Sequence, residues 1–426
     1  MGSRIRFLRV PPEPAARDWP SLRRLAPLLA PAFLAAAVGC REDAKSPTAP
    51  DVMAPLATSA AAALAFHQVS VGGVQTCGLT TDNRAYCWGY NGSGALGDGT
   101  TTTRLTPTPV AGTLRFRQVD AGASHTCAVT TDDRAYCWGG NRFGALGDRT
   151  TETRLQPVPV AGGHQFRQVD AGEYHTCGRT TDNRVYCWGN NGSGQLGNGT
   201  NTGPETCEFT ACSTRPIAVV GALAFRQISA GAHHTCGVTP DYRAYCWGGG
   251  YFGQIGDSTT VSRQLPRLKP SRVAGGHQFR QVDAGLYHTC GVTTGDRAFC
   301  WGDGRSGQIG DGKPYLRFWP RRVAGGLYFS RVSTEGFHTC GETTQNRAYC
   351  WGDNSSGQFG DGTTTRRLTP VAVAGGLFFS QVSAGSHTCG RTPAAVAYCW
   401  GHNGEGELGD GTTTTRLKPV PVAGDE

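Results

Sequence analysis

Three residue types recur along this sequence at spacings that carry chemical meaning: cysteine, histidine and aspartate. Fourteen of the 17 cysteines fall into seven pairs ten positions apart: Cys77 with Cys87, Cys127 with Cys137, Cys177 with Cys187, Cys236 with Cys246, Cys290 with Cys300, Cys340 with Cys350 and Cys389 with Cys399. Such pairs suit either metal binding or disulfide chemistry. Zinc needs about four ligands converging on one point, whereas these pairs are distributed along the whole chain. If each intervening turn closes a hairpin, the two cysteines face each other at a Cα separation of roughly 4.5–5.5 Å, within disulfide range. Cys207 and Cys212 sit in an insertion and are expected to pair locally, which leaves Cys40 as the odd thiol. So many cysteines also point to an oxidising compartment.

His125, His175, His234, His288, His338 and His387 each precede Thr-Cys. Because repeated units place equivalent residues in different modules, six histidines are expected to make one repeated hydrogen bond rather than a metal site. Gln75 occupies the slot in the first unit, as a hydrogen-bonding role permits. Asp98, Asp148, Asp257, Asp311, Asp361 and Asp410, with Asn198 in the third unit, read as Asx-type turn residues. No calcium loop, Gly-x-Ser-x-Gly, His-Glu-x-x-His or phosphate loop occurs. The expectation is therefore a non-enzyme without metal or cofactor.

The elements that position these residues come from internal repetition. A Phe-x-Gln-Val-like segment starts at Phe66, Phe116, Phe166, Phe225, Phe279, Phe329 and Phe379, at intervals of 50, 50, 59, 54, 50 and 50 residues. Each unit offers four short strands bounded by glycine or proline. In the second unit these are Phe116–Ala121, His125–Thr130 and Ala135–Gly139, with a fourth at Pro157–Ala161 (Pro107–Ala111 in the first unit). Seven four-stranded units make an all-β, seven-bladed β-propeller over 65–426, since radial repetition removes the edges of a long flat sheet. The tryptophans at 88, 138, 188, 247, 301, 351 and 400 are expected to fill the gaps between blades. Composition agrees: 62 glycines in 426 residues, about twice the usual share, and only 17% charged residues disfavour helical bundles, while steady aromatics disfavour disorder.

Residues 1–40 read as an export signal. Arginines precede an apolar run from Leu25 to Gly39, too short to span a bilayer. Ala37-Val38-Gly39-Cys40 resembles the lipobox of bacterial lipoproteins, which implies lipidation of Cys40; the alternative is plain secretion with nearby cleavage. Residues 41–64, rich in Ala, Ser, Thr and Pro, read as a flexible linker. Residues 1–39 hold six arginines against Glu13 and Asp18, leaving 34 basic and 30 acidic groups beyond them. With no basic run among these, nucleic acid is not an expected partner.

The phrase Ala-Gly-Ala-Ser-His-Thr-Cys at 121–127, then Ala-Tyr-Cys-Trp-Gly-Gly-Asn at 135–141 and Gly-Ala-Leu-Gly-Asp at 144–148, resembles the regulator of chromosome condensation repeat across all seven units. The resemblance implies a seven-bladed propeller in which strands from both termini complete one blade. The family's founding member is a nucleotide exchange factor for a nuclear GTPase that also binds chromatin. Other members are secreted, and one group inhibits β-lactamases through the propeller face. A shared fold does not transfer those functions.

In a repeat protein, positions that differ between units are free to serve a partner. Three regions stand out: the turn after Cys-Trp-Gly (Tyr90, Arg142, Phe143, Tyr251, Phe252, Asp303, Arg305, His402, Glu405), the residues before His-Thr-Cys (Glu173, Tyr174, His233, Leu286, Tyr287, Phe337), and the fifth-unit segment with Tyr315 and Trp319; the inserted loop over 201–215 is a further candidate. Aromatics and arginine are the residues enriched at binding hot spots. The reading is a monomeric, exported, envelope-anchored or extracellular propeller that binds a protein partner and meets the membrane only through a lipid. Glycan binding or cleavage, and guanine-nucleotide exchange, are the alternatives.

Overall fold

The structure, a computed structural model, describes residues 64–259 and 265–424. Signal, lipobox and most of the linker lie outside the described residues, so Cys40 does too.

Each unit contains a tight hairpin between its second and third strands. In blade 2, Thr130 N–H and Arg134 C=O are joined at 2.8 Å, and the Thr130 hydroxyl accepts from Arg134 N–H at 3.0 Å. The turn needs one left-handed residue, supplied by Asn83, Asp133, Asn183, Tyr242, Asp296, Asn346 and Ala395 in successive blades (φ 60° to 67°). Asn and Asp fill four of the other positions besides Asp133, in keeping with their tolerance of this conformation. The turn fixes the register His125↔Gly139 and Cys127↔Cys137, and so opposes each cysteine pair.

All seven pairs are disulfides. Cys77 bonds to Cys87, Cys127 to Cys137, Cys177 to Cys187 and Cys236 to Cys246, and then Cys290 to Cys300, Cys340 to Cys350 and Cys389 to Cys399. Cys207 and Cys212 form the eighth bridge. The pairing follows the sequence expectation, but the spacing does not quite. The Cα atoms of the seven hairpin pairs lie 4.0–4.1 Å apart, below the roughly 4.5–5.5 Å of unlinked opposed residues.

Seven antiparallel sheets follow: blade 1 over 66–109, blade 2 over 116–159, blade 3 over 166–218, blade 4 over 227–272, blade 5 over 279–322, blade 6 over 329–372 and blade 7 over 381–421. The first strands of neighbouring blades touch and line the axis, while the fourth strands form the outer edge. Three details depart from the sequence reading. The fourth strand of blade 2 is Arg154–Pro159, not Pro157–Ala161, and that of blade 1 is Arg104–Pro109. Proline is tolerated inside it because it is an edge strand, and an arginine at its start pairs with the turn aspartate (Arg154 Nε–Asp148 Oδ2, 2.8 Å). Blade 3 carries a fifth strand, because the insertion folds as a hairpin of Glu205–Cys207 and Thr210–Ala218 pinned by Cys207–Cys212. Finally, no blade mixes strands from the two termini. Each is consecutive in sequence, and the ring closes by packing blade 7 against blade 1.

That packing is the same at every seam. Each hydrophobic core spans two blades: Cys77, Cys87 and Leu96 of blade 1 pack against Phe116, Val119 and Trp138 of blade 2. Cys177 and Cys187 of blade 3 likewise meet Phe225 and Trp247 of blade 4, and Cys290 and Cys300 of blade 5 meet Phe329 and Trp351 of blade 6. At the closing seam Cys389, Cys399 and Leu408 meet Phe66, Val69 and Trp88. The disulfide is thus both a hairpin staple and the surface on which the next blade's Phe and Trp rest.

Alkylation of the unreduced protein should therefore leave all sixteen of these cysteines unmodified by intact mass. Converting Cys127 and Cys137 together to Ala should cost about 2–3 kcal/mol in chemical denaturation, as expected for a loop of about ten residues. Labelling of several cysteines without reductant would contradict this arrangement.

Candidate binding face and axial channel

Two sets of polar bonds hold the blades in fixed relation and so position the rims. At each seam one backbone carbonyl accepts two hydrogen bonds from the next blade. Ala95 C=O receives Thr126 Oγ1 (2.9 Å) and Trp138 Nε1 (2.9 Å). Glu407 C=O receives Thr76 Oγ1 (2.8 Å) and Trp88 Nε1 (2.9 Å) at the closing seam. The threonine's single proton is thereby committed, so the histidine beside it must donate: His125 Nε2 lies 2.8 Å from Thr176 Oγ1, and His288 Nε2 lies 2.9 Å from Thr339 Oγ1. Six seams carry this His–Thr bond, and Gln75 serves blade 1 by donating to Gly122 C=O (2.9 Å). The histidines are neutral, because burial drives their pKa values down to about 3 or 4.

A second ring surrounds the axis. One side chain per blade accepts the N–H of the next blade's first strand: Ser70 from Ala121, Asp120 from Ala171, Asp170 from Ala230, Ser229 from Ala284, Asp283 from Thr334, Ser333 from Ala384 and Ser383 from Val71, at 2.6–3.1 Å. Four serines accomplish this unaided, so the charge of the three aspartates exceeds what the scaffold needs.

The variable loops come together on one rim. Backbone bonds tie the loop after the third strand to the loop before the second, as in Asn190 N–H to Tyr174 C=O (2.9 Å) and Asp303 N–H to Tyr287 C=O (2.9 Å). Side chains from successive blades then touch in an arc: Phe143–Tyr174 (5.3 Å between ring centroids), Tyr174–His233 (6.0 Å), His233–Tyr287 (6.0 Å) and Tyr287–Phe337 (6.3 Å), with Phe252 against Tyr287 (4.9 Å). Arg142 covers Phe143 and Arg305 covers Phe252. Burial and the neighbouring Glu173 push the Tyr174 phenol up to about 12, so it is a hydrogen-bond donor at any physiological pH. The blade 3 hairpin flanks the arc, joined by Arg142–Glu208 (2.7 Å), and carries the fully exposed Phe209 at its tip.

The arc borders the mouth of an axial cavity of about 500 Å³. Asp120, Asp170, Asp283 and Glu335 line it, Glu173 lies at its lip, and its wall contains neither lysine nor arginine. Burial raises the pKa of Asp120 to about 7 and that of Asp283 to about 6; Asp170 and Glu335 are also pushed up, by burial and then by neighbouring carboxylates.

The structure brings together eight of the residues singled out from sequence: Arg142, Phe143, Tyr174, His233, Phe252, Tyr287, Arg305 and Phe337. Tyr90 and Tyr251 are exposed in the same set of loops but make no ring contact among the described residues. Tyr315 lies beside Gly304 and over Arg317. Trp319 is on the fourth strand of blade 5, the lateral edge, and takes no part in the arc. Sequence reasoning pointed to the insertion over 201–215 without singling out Phe209, and it did not name the channel carboxylates Asp120, Asp170, Asp283 and Glu335, the three aspartates among them being hidden in the repeated motif itself.

Seven antiparallel blades closed around an axial channel define a seven-bladed β-propeller of the repeat type. The RCC1-like domain family matches residues 35–374, and the chain belongs to that family. Its fold is similar to Prp20p from Saccharomyces cerevisiae (TM-score 0.70, 19% identity, covering 81% of this chain and 87% of that one) and to human WBSCR16 (TM-score 0.66, 19% identity, 75% and 84%). Sequence relatives include the ultraviolet-B receptor UVR8 of Arabidopsis thaliana, 38% identical over 89 residues, and the probable E3 ubiquitin-protein ligase HERC4 of Homo sapiens, 33% identical over 85. These matches cover 20% of this chain, and only 19% and 8% of those proteins.

The two polar rings respond oppositely to acid. His288 takes its proton at about pH 3 in the fold against 6.5 when unfolded, so its contribution to stability is lost as pH falls from about 6.5. Asp283 takes its proton at about pH 6 against 3.8 when unfolded, so stability rises as pH falls through that window. Each group contributes a slope of roughly 1.4 kcal/mol per pH unit inside its window. Denaturation between pH 7 and 4 should show His288→Gln flattening the acid loss and Asp283→Ser steepening it. Parallel shifts in both variants would refute the assignment.

Proposed function

We propose that this protein is an exported, non-catalytic binding propeller whose aromatic rim docks a protein partner. The observation that carries the reading is the contiguous arc from Phe143 through Tyr174, His233 and Tyr287 to Phe337, flanked by two arginines. Residues of these types concentrate binding energy when clustered at the centre of a contact patch. None of them is needed for the seams, which are built from the repeated His, Thr, Trp and carbonyl groups. Eight disulfides support an oxidising compartment outside the cytosol, and lipidation at Cys40 would hold the propeller at a membrane surface. The same compartment disfavours exchange on a cytosolic GTPase.

A photocrosslinking phenylalanine analogue at Tyr251, beside the arc, should give a discrete polypeptide adduct in intact cells, whereas the analogue at Trp319 should not. Tyr287→Ala and Phe337→Ala should each weaken that partner's binding about 30-fold, corresponding to roughly 2 kcal/mol at a hot spot, with unfolding midpoints unchanged. Adducts resistant to protease but cleaved by glycosidases would replace the protein reading with the glycan one.

A further inference from the structure

Position 335 breaks the repeat. Six units place glycine here, Gly72, Gly122, Gly172, Gly231, Gly285 and Gly385, and blade 6 alone places glutamate. The glycines are required by close approach of neighbouring blades: a Cβ on Gly122 would lie 2.5 Å from Gly172 C=O, and one on Gly231 would lie 2.4 Å from Gly285 C=O. Blade 6 escapes this constraint at the seam where the next loop is one residue shorter, with Phe379–Cys389 standing against Phe329–Cys340. Two coordinated departures from the repeat thus introduce a carboxylate into the axial channel.

That carboxylate has no structural employment. Asp120, Asp170 and Asp283 each hold a backbone N–H of the next blade, but the half-buried Glu335 side chain, on the channel wall, receives no hydrogen bond from any described residue. The wall around it supplies further carboxylates but no lysine or arginine, His402 on that wall is engaged by Glu407 at 2.8 Å, and Arg331 bears on Asp283 from the flank. Among the described residues no three His, Cys, Asp or Glu side chains converge to hold a metal ion. The charge therefore calls for an organic cation, and the aromatic faces at the mouth favour the same species.

We infer that the channel receives a lysine or arginine side chain of the docked partner, its charged head reaching Glu335 while the flanking residues lie on the Tyr174–Tyr287–Phe337 arc. This rests on the rim being a protein-docking face. Charge complementarity inside a confined cavity would give register as well as affinity, since only one side chain can follow the axis while its neighbours stay on the rim.

The test uses acetyl-Tyr-Gly-Lys-Gly-Tyr-amide and its norleucine counterpart in calorimetric titration of the whole chain. The lysine peptide should bind at least about tenfold more tightly to the native protein, and the ratio should fall below about threefold in Glu335→Gln. Glu335→Gly, which restores the repeat, guards against a folding artefact and should behave alike. Tyr287→Ala should weaken both peptides together. Equal or undetectable binding of the two peptides, or a lysine preference that survives in Glu335→Gln, overturns the inference. A polypeptide crosslinked at Tyr251 whose contacting segment lacks lysine and arginine also overturns it while leaving the docking face intact; absence of any polypeptide adduct removes the docking face itself.

Discussion

One backbone carbonyl per blade organises this molecule. Ala95, Ala145, Gln195, Gln254, Gln308, Gln358 and Glu407 each present a C=O whose two lone pairs are taken by the threonine hydroxyl and the indole N–H of the next blade. Buried polar groups left unmatched cost about 1–3 kcal/mol each, so no blade can shift along its neighbour without stranding several at once. The seam uses only the backbone at these positions; where the side chain is Gln or Glu it serves its own loop, as Gln195 does by accepting Ser193 N–H at 2.9 Å, and Ala95 and Ala145 do without that bond. Bonding identity is therefore carried by Thr and Trp, and both sit in the disulfide-bonded hairpin that is the most locally determined part of each unit.

A scaffold defined in this way leaves one rim open to variation and constrains the axis strongly. The loop after the third strand carries the seam carbonyl, but the side chains of Phe143, Tyr174 and Phe337 make none of the seam hydrogen bonds, so they can vary between units. The axis tolerates change only through the side chain that accepts the next blade's N–H, where Ser and Asp serve equally well, and at the 6/7 seam. Acidity has accumulated through both routes. It makes the channel a costly place for carboxylates alone, and one where a cation would be well received.

Much of the fold was legible in the sequence because its decisive interactions are local. The second and third strands of blade 2 follow from a four-residue turn and a ten-residue cysteine spacing, and the structure gives them the same bounds. The fourth strand was misplaced because Pro107 and Pro157 look like strand boundaries, whereas an unpaired edge accommodates them internally. Blade closure differed from the family expectation because the four strands between Phe66 and Pro109 already form one complete sheet. The histidines were legible as hydrogen-bonding residues, but not their partners, which lie 50 to 60 residues away in most seams. The candidate site was legible in its members more than in its geometry. Variation between units exposed the arc residues, yet their contact depends on two loops of each blade sharing a rim, which is a property of topology. Trp319 varied for the same apparent reason and lies instead on a lateral strand. Asp120, Asp170 and Asp283 were invisible because a repeated residue reads as scaffold even when its charge is not needed for that role.

The central claim is that seven equivalent carbonyl-centred seams, including the one joining the two ends of the described chain, close the ring. Solvent exchange of tryptophan indole protons, followed by NMR, tests it most directly. The indoles of Trp88, Trp138, Trp188, Trp247, Trp301, Trp351 and Trp400 should all exchange slowly, with Trp88 as protected as the rest and Trp319 rapid. Fast exchange at Trp88 alone would show that blades 7 and 1 do not meet.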